Sequence, residues 1–146
     1  MNLQRAIEIA VKAHGDEGHV DKGGSPYILH PFRVMLSLKT EEERIVGVLH
    51  DVIEDCPDWT FDRLREEGFS EVVIAGLQSV TKTSDVEDYD EFVSRCVANP
   101  IGRRVKIADI TDNLDVTRLG TLTEKDIKRL NKYKKALVVL LSSVGK

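Results

Sequence analysis

Four ionisable residues occur together in the segment HDVIED: His50, Asp51, Glu54 and Asp55. In a helix, residues four apart share one face, so Glu54 would follow His50 by one turn, and Asp55 would follow Asp51. Carboxylates held this close cost free energy through mutual repulsion and desolvation, and a divalent cation would offset that cost. The segment therefore indicates either a metal site or a solvent-exposed helix end that binds no metal.

Two other places in the chain supply candidate ligands. His30 precedes Pro31, a residue typical of a first helical turn, so His30 is expected at the N-cap of a helix. Asp109 and Asn113 stand four residues apart in the largely apolar segment 105–113, where an acidic residue is costly unless it is paired. A lone histidine before a helix is more typical of a cap or a packed side chain. Together, however, these groups predict a mixed nitrogen and oxygen site for Mn²⁺, Fe²⁺ or Zn²⁺, with room for water.

Helical periodicity of the apolar residues dominates the chain, and no segment alternates convincingly as a strand does. The clearest predicted helix covers residues 41–55, with acidic residues in its first turn. Another runs from Gly102 to about Thr117, and the last begins at Thr123 with a T-x-x-D version of the capping box. The sequence thus predicts an all-α protein, a single domain over residues 1–146 made of about seven helices.

The composition of the 146 residues is that of a globular protein, with 41% hydrophobic and 32% charged residues. A net charge of −4 argues against a nonspecific nucleic-acid binder, which normally presents a basic face. The longest uncharged apolar stretch, residues 136–141, is far shorter than the roughly 20 residues that cross a bilayer. The first residues lack the apolar core of a signal peptide. We therefore expect a cytoplasmic protein in which Cys56 and Cys96 are packed free thiols.

Five segments that carry these groups follow one another in a recognisable order. They are AH (13–14), GSPYILHP (24–31), LHDVIED (49–55), VTK (80–82) and VKIAD (105–109), the last followed by Asn113. In order and spacing, over nearly the whole chain, they resemble the HD superfamily of metal-dependent phosphohydrolases, specifically the RelA/SpoT-type hydrolases and the small alarmone hydrolases. The resemblance implies an HD-type helical bundle, Mn²⁺ as the usual metal, and removal of the 3′-pyrophosphate from (p)ppGpp.

The resemblance also implies roles for individual residues. The implied metal ligands are His30, His50, Asp51 and Asp109, and the implied acidic pair that handles the attacking water is Glu54 and Asp55. The implied contacts to the phosphates, sugar or base of the substrate are Lys22, Lys82, Asn113, Arg129 and Tyr133. The implied partner is a small nucleotide, neither a nucleic acid nor a membrane, and the oligomeric state is left open.

One position departs from the pattern of the family. Asp21 stands where a cation, usually arginine, stacks on guanine, and an aspartate neither stacks as a guanidinium does nor attracts phosphate. A different purine preference, such as adenine alarmones, is therefore open. His19 is either a replacement for the stacking group or, as is more typical of a histidine in a loop, a solvated side chain. Two other functions remain as alternatives: another HD-type nucleotide or dinucleotide phosphatase, acting for example on NADPH, and a non-catalytic nucleotide-sensing module. The sensing module is disfavoured because every implied ligand is present.

Overall fold

The structure, a computed structural model, describes residues 2–142, and in that range nine α-helices and one short 3₁₀ helix form the fold. The all-α prediction is confirmed. The α-helices are α1 Leu3–Asp16, α2 Leu29–Leu36, α3 Glu41–Leu49, α4 Val52–Asp55, α5 Phe61–Glu66, α6 Glu71–Ser79, α7 Tyr89–Ala98, α8 Pro100–Asn113 and α9 Glu124–Ser142, and the 3₁₀ helix is Val116–Arg118. None of the helices within residues 2–142 combines the length and the apolar character that a membrane crossing requires. Cys56 and Cys96 are free and buried, as predicted.

Helix α3 forms the centre of the fold and packs against α1, α2, α6 and α8. A capping box fixes its start, because Thr40 and Glu43 each accept a hydrogen bond from the other's backbone N–H. Its aliphatic residues Ile45, Val48 and Leu49 are fully buried. Burial of each such side chain contributes about 1.5–3 kcal/mol. Helix α3 is therefore fixed by packing on several sides, and it holds His50 and Asp51, which follow its last residue, in place.

The predicted helix 41–55 is divided in the structure at its most polar point. Helices α3 and α4 are separate, and His50 and Asp51 lie at the junction between them. The Nδ1–H of His50 donates to the carbonyl of Gly47 at 2.6 Å. A side chain that donates to a backbone carbonyl competes with the hydrogen bonds of the helix. This competition is a physical reason for the separation of α3 from α4.

Two helix boundaries differ from the predicted ones. His30 is the second residue of α2, and the N-cap is Ile28. Helix α2 begins earlier than predicted because the segment before it already forms turn hydrogen bonds. Helix α8 ends at Asn113, short of Thr117. The side chain of Asp115 accepts the backbone N–H of Thr117 at 3.0 Å and begins the 3₁₀ helix there. The first difference places His30 inside the first turn of α2, and the second makes Asn113 the last residue of α8.

Close packing and capping set the positions of the last two helices. Helix α8, which carries Asp109, lies so close to α6 that a Cβ on Gly102 would be 1.9 Å from Ser79 Oγ. Helix α9 begins with the predicted capping box, in which the backbone N–H groups of Thr123 and Asp126 donate to each other's side chains at 3.0 and 3.1 Å. Any side chain at position 102 would therefore force Ser79 to shift, and glycine allows the close approach of α8 to α6 without that shift.

Candidate metal centre and active site

The four predicted metal ligands come together in one buried cluster. His30 lies in α2, His50 and Asp51 at the junction of α3 and α4, and Asp109 in α8. His30 Nε2 is 2.9 Å from Asp109 Oδ1, and His50 Nε2 is 3.4 Å from the same oxygen. His50 Nε2 is also 3.1 Å from Asp51 Oδ2. His30, His50 and Asp109 are each less than a tenth exposed, so the cluster is shielded from bulk water.

The donor atoms of this cluster fit a divalent transition metal. Two atoms bound to one ion at about 2.0–2.2 Å lie about 2.8–3.6 Å apart, which covers the separations found here. The Nδ1–H of His50 donates a hydrogen bond to the Gly47 carbonyl. In the neutral ring, Nε2 therefore carries the free lone pair that a metal would bind. Within residues 2–142 that buried Nε2 has no hydrogen-bond partner, although it faces two carboxylates. An orphaned nitrogen in this position is the arrangement expected of a metal ligand.

The charges inside the cluster also favour a cation. Burial opposes ionisation of Asp109, but Lys106 and His50 outweigh it and hold the pKa of this carboxyl well below its usual range. Burial likewise opposes ionisation of Asp51, and His50 outweighs it and lowers the pKa of Asp51 to about 2. Against its own burial, His50 has a pKa well above the usual value because the same two carboxylates attract its proton. The cluster thus holds two ionised carboxylates and attracts positive charge, either a proton or a metal ion.

Two residues that the sequence analysis did not single out orient these ligands from α8. Asp112 Oδ2 lies 2.6 Å from His30 Nδ1, and Lys106 Nζ donates to Asp109 Oδ2 at 3.0 Å. Groups of this kind fix the rotamer and the tautomer of a metal ligand. The sequence spacing could have identified both residues, because each lies three residues from Asp109 and shares its helix face.

Tyr27 connects the loop before α2 with the cluster. Its hydroxyl donates a hydrogen bond to Asp51, and its ring centroid is 5.7 Å from that of His30. Burial, and then the negative charge of Asp51, raises the pKa of Tyr27, so the phenol stays protonated as a donor. No local sequence signal paired Tyr27 with Asp51, which lies 24 residues away.

The predicted acidic pair lies in α4, next to Asp51. Glu54 Oε1 accepts a hydrogen bond from the backbone N–H of Lys82 at 2.6 Å, which ties α4 to the segment after α6. Burial, and then the charges of Asp51 and Glu54, raises the pKa of Asp55 to about 6. Burial is also the main cause of the raised pKa of Glu54. Asp55 can therefore exchange a proton close to neutral pH, as general acid–base chemistry requires, and the pKa of Glu54 is shifted in the same direction.

A cleft of about 260 Å³ opens beside the cluster and shares His30 with it. The predicted substrate residues that line this cleft are Lys22, Asn113, Arg129 and Tyr133. Lys22 and Arg129 lie 3.2 and 3.1 Å from the same oxygen of Asp126, so one carboxylate holds two cations side by side at the rim. A pair of cations next to a metal-binding cluster suits a ligand with several phosphates.

The remaining substrate residues differ in how they relate to the centre. Asn113 Nδ2 donates to Asp109 Oδ1 at 3.1 Å and so links the cleft to the cluster. Lys82 is not among the residues that line the cleft, and its side chain is exposed. The contact of Lys82 that the structure does show runs through its backbone, to Glu54.

The two loop residues at the departure from the family pattern have local partners. Asp21 lines the cleft, and its Oδ1 accepts the backbone N–H groups of Gly23 and Ser25, both at 2.9 Å. It therefore closes a turn, which an arginine side chain could not do because it has no acceptor. His19 is not among the residues that line the cleft. Its Nδ1 lies 3.1 Å from His14 Nδ1, and its ring meets that of Tyr27 edge-on, with the centroids 6.1 Å apart.

Comparison with known proteins finds several relatives of this chain. No protein-family model matches the chain. The chain is 32% identical over 141 residues to an Aquifex aeolicus protein named guanosine-3′,5′-bis(diphosphate) 3′-pyrophosphohydrolase, covering 89% of the chain and 19% of that protein. It is 30% identical over 145 residues to a Borreliella burgdorferi protein of the same name, covering 90% and 21%. It is 29% identical over 142 residues to the Escherichia coli bifunctional (p)ppGpp synthase/hydrolase SpoT, covering 88% and 19%.

The chain spans about a fifth of the length of these relatives. Among solved structures it resembles a metazoan ortholog of SpoT, described as hydrolysing ppGpp, with a TM-score of 0.73 and 21% identity. That likeness covers 95% of this chain and 84% of the other, and it supports the same helical fold. The predicted relationship to the RelA/SpoT-type proteins is confirmed.

Proposed function

We propose that this relative of the RelA/SpoT-type proteins hydrolyses the 3′-pyrophosphate of guanosine alarmones such as (p)ppGpp and releases pyrophosphate. One observation carries the proposal: the buried cluster of two histidines and two aspartates shares His30 with a cleft whose rim bears the paired cations Lys22 and Arg129. The names of the relatives point to the same substrate. The proposal includes one hydrolase domain over residues 1–146 that acts in the cytoplasm.

We infer that His30, His50, Asp51 and Asp109 hold a divalent transition metal, with Mn²⁺ as the ion that the resemblance implies. Imidazole and carboxylate ligands are compatible with Mn²⁺, Fe²⁺ and Zn²⁺. Such an ion supplies Lewis-acid chemistry, because it lowers the pKa of water and neutralises charge that develops on a phosphate.

The protein's own side chains would provide binding, orientation and proton transfer. Glu54 and Asp55 would take the proton of the attacking water or return one to the leaving 3′-oxygen, since burial has raised their pKa values. Lys22 and Arg129 would hold the phosphates, and Lys82 would do so from the side of Glu54.

The nucleoside would lie deeper in the same cleft. Asn113 would contact the sugar or base, and Tyr133, which also lines the cleft, would contact the nucleoside. Asp21 is a specific reason to keep a second candidate, because its carboxylate lies on the cleft wall where the family pattern has a stacking cation. An adenine alarmone, or another phosphorylated nucleotide such as NADPH, is that second candidate.

The test is product analysis of the Mn²⁺-loaded protein with ppGpp, ppApp and NADPH in parallel. We expect pyrophosphate from ppGpp, loss of that activity in Asp51→Ala, and no loss in Asp58→Ala, a nearby exposed aspartate. Faster release of pyrophosphate from ppApp than from ppGpp would show a preference for adenine. Phosphate from NADPH alone would favour the second candidate, and no product from any substrate with metal bound would refute hydrolysis of these nucleotides.

A further inference from the structure

A second group of metal-ligating side chains lies next to the first, and the proposed hydrolysis does not use it. His14 comes from the last turns of α1, His19 from the loop after α1, and Cys56 from the residue that ends α4. One ligand atom from each of these residues lies within 4.8 Å of the other two. His14 Nδ1 is 3.1 Å from His19 Nδ1 and 3.9 Å from Cys56 Sγ.

These separations are close to those of ligands on one zinc ion. With bonds of about 2.0–2.1 Å to nitrogen and about 2.3 Å to sulfur, a tetrahedral site places two nitrogens about 3.3 Å apart and a nitrogen and a sulfur about 3.6 Å apart. The observed values of 3.1 and 3.9 Å differ from these by only a few tenths of an ångström. Small rotations of the side chains would therefore bring three ligands to one ion without a change of the backbone, and a water molecule would take the fourth position.

Burial and charge around the group also suit an ion. His14 and Cys56 are both 2% exposed, whereas His19 is half-buried and gives access from solvent. Burial, and then the charges of Asp55 and Glu17, raises the pKa of the Cys56 thiol to about 11, so a bound metal ion would have to displace the thiol proton. His19 thus gives the entry path that a metal site needs, and the nearby carboxylates that hold the proton on the sulfur would equally attract a cation in its place.

The ring of Tyr27 separates this group from the candidate metal centre. Its centroid lies 5.1 Å from that of His14 on one side and 5.7 Å from that of His30 on the other. The two groups share no ligand, and their donor types differ, because only the second contains a thiol. Thiolate with imidazole selects Zn²⁺ or copper, whereas imidazole with carboxylate accepts Mn²⁺.

We propose that His14, His19 and Cys56 form a zinc site that fastens the loop after α1 to the ends of α1 and α4. That loop carries Asp21 and Lys22, which line the cleft, so the ion would set the position of one wall of the cleft. The chain would then bind two metals of different chemistry on the two sides of Tyr27. This proposal does not depend on which nucleotide is hydrolysed, or on whether hydrolysis occurs.

Cobalt substitution of the full, metal-free chain tests the proposal, because Co²⁺ bound by a thiolate gives a sulfur-to-metal charge-transfer band in the near ultraviolet. The candidate metal centre contains no sulfur and cannot give this band. We expect the band in the unmodified chain and in Asp109→Asn, which disables the other centre. We expect it to disappear in Cys56→Ser and to require at least about tenfold more Co²⁺ in His19→Gln.

The matched control is Cys96→Ala, which removes the other buried cysteine and should leave the band unchanged. His19→Gln keeps the test decisive if Cys56→Ser fails to fold, because residue 19 is half-buried in a loop, and circular dichroism checks its helix content. Cobalt binding without the band would overturn the proposal. So would a band that His19→Gln leaves unaltered or that Cys96→Ala removes.

Discussion

The candidate metal centre is carried by helices and buried, whereas the rim of the cleft is carried by a loop and by the beginning of α9. The side chain of Asp109 in the centre is 9% exposed, and that of Lys22 at the rim is 54% exposed. Asp109 contacts both histidines and Lys106, which come from three different parts of the bundle. Lys22 has a single described ion pair, with Asp126.

The fold therefore fixes the position of the centre from several sides and leaves the rim free to adapt. Loss of one partner in a buried set of charges leaves the others uncompensated in a medium of low dielectric constant. Loss of an exposed charge is softened by water and salt. We therefore expect substitutions in the centre to abolish function, and substitutions at the rim to tune affinity.

The largest effect is expected from Asp109→Asn. The amide keeps the shape of the side chain but loses the charge that His30, His50 and Lys106 face. Turnover at saturating substrate should fall by more than about 100-fold, because changes to groups that merely support a ligand already cost 10–100-fold. Steady-state kinetics with thermal unfolding measure this, and Asp90→Asn, on the exposed face of α7, is the control. Turnover near that of the control would mean that Asp109 is not a ligand.

A smaller loss is expected from Asp112→Asn, which weakens the support of His30 at its Nδ1. We expect metal affinity to fall by about 10–100-fold while the fold is retained. Titration of the metal-free protein with Mn²⁺ measures the affinity. Asp112 also pairs with Arg33 and Arg118, which line the cleft, so KM at saturating metal reports the change at the cleft separately. Unchanged metal affinity together with a raised KM would place Asp112 with the rim and not with the centre.

At the rim, Arg129→Gln should raise KM about tenfold and leave kcat nearly unchanged. A charge-assisted hydrogen bond to phosphate contributes about 1.5 kcal/mol, and its loss affects binding more than chemistry. Lys128→Gln changes an exposed neighbour on the same helix and should have no such effect. An equal rise of KM in both variants would show that only the overall charge of α9 matters.

The smallest effect is expected from Asp21→Asn. The amide oxygen can still accept from the backbone of Gly23 and Ser25, so the turn is kept while the negative charge at the cleft wall is removed. KM for a polyanionic nucleotide should fall about two- to threefold. The repulsion between the Asp21 carboxylate and a phosphate across water contributes less than about 1 kcal/mol. Asp21→Ala loses the turn as well, and should raise KM. A lower KM in both variants would show that the turn has no part in binding.

Much of the fold was predictable because its signals are local. The apolar periodicity indicated helices, and the Thr123–Asp126 capping box places the start of α9 where it was predicted. The division of helix 41–55 was not predictable in this way, because it involves the side-chain contact of His50 with the Gly47 carbonyl. Periodicity describes which face of a helix is apolar, and it contains no information about such a contact.

For the site, residue types and spacing indicated a mixed nitrogen and oxygen metal site, since imidazole and carboxylate groups in apolar helices need partners. The resemblance to the HD-type hydrolases then implied His30, His50, Asp51 and Asp109 as its ligands. Only the tertiary structure decided which residues surround them. Lys82 meets Glu54 through its backbone, and Cys56 meets His14 across 42 residues. Contacts between distant parts of the chain depend on how the helices pack, and packing is a property of the whole bundle that no short motif determines.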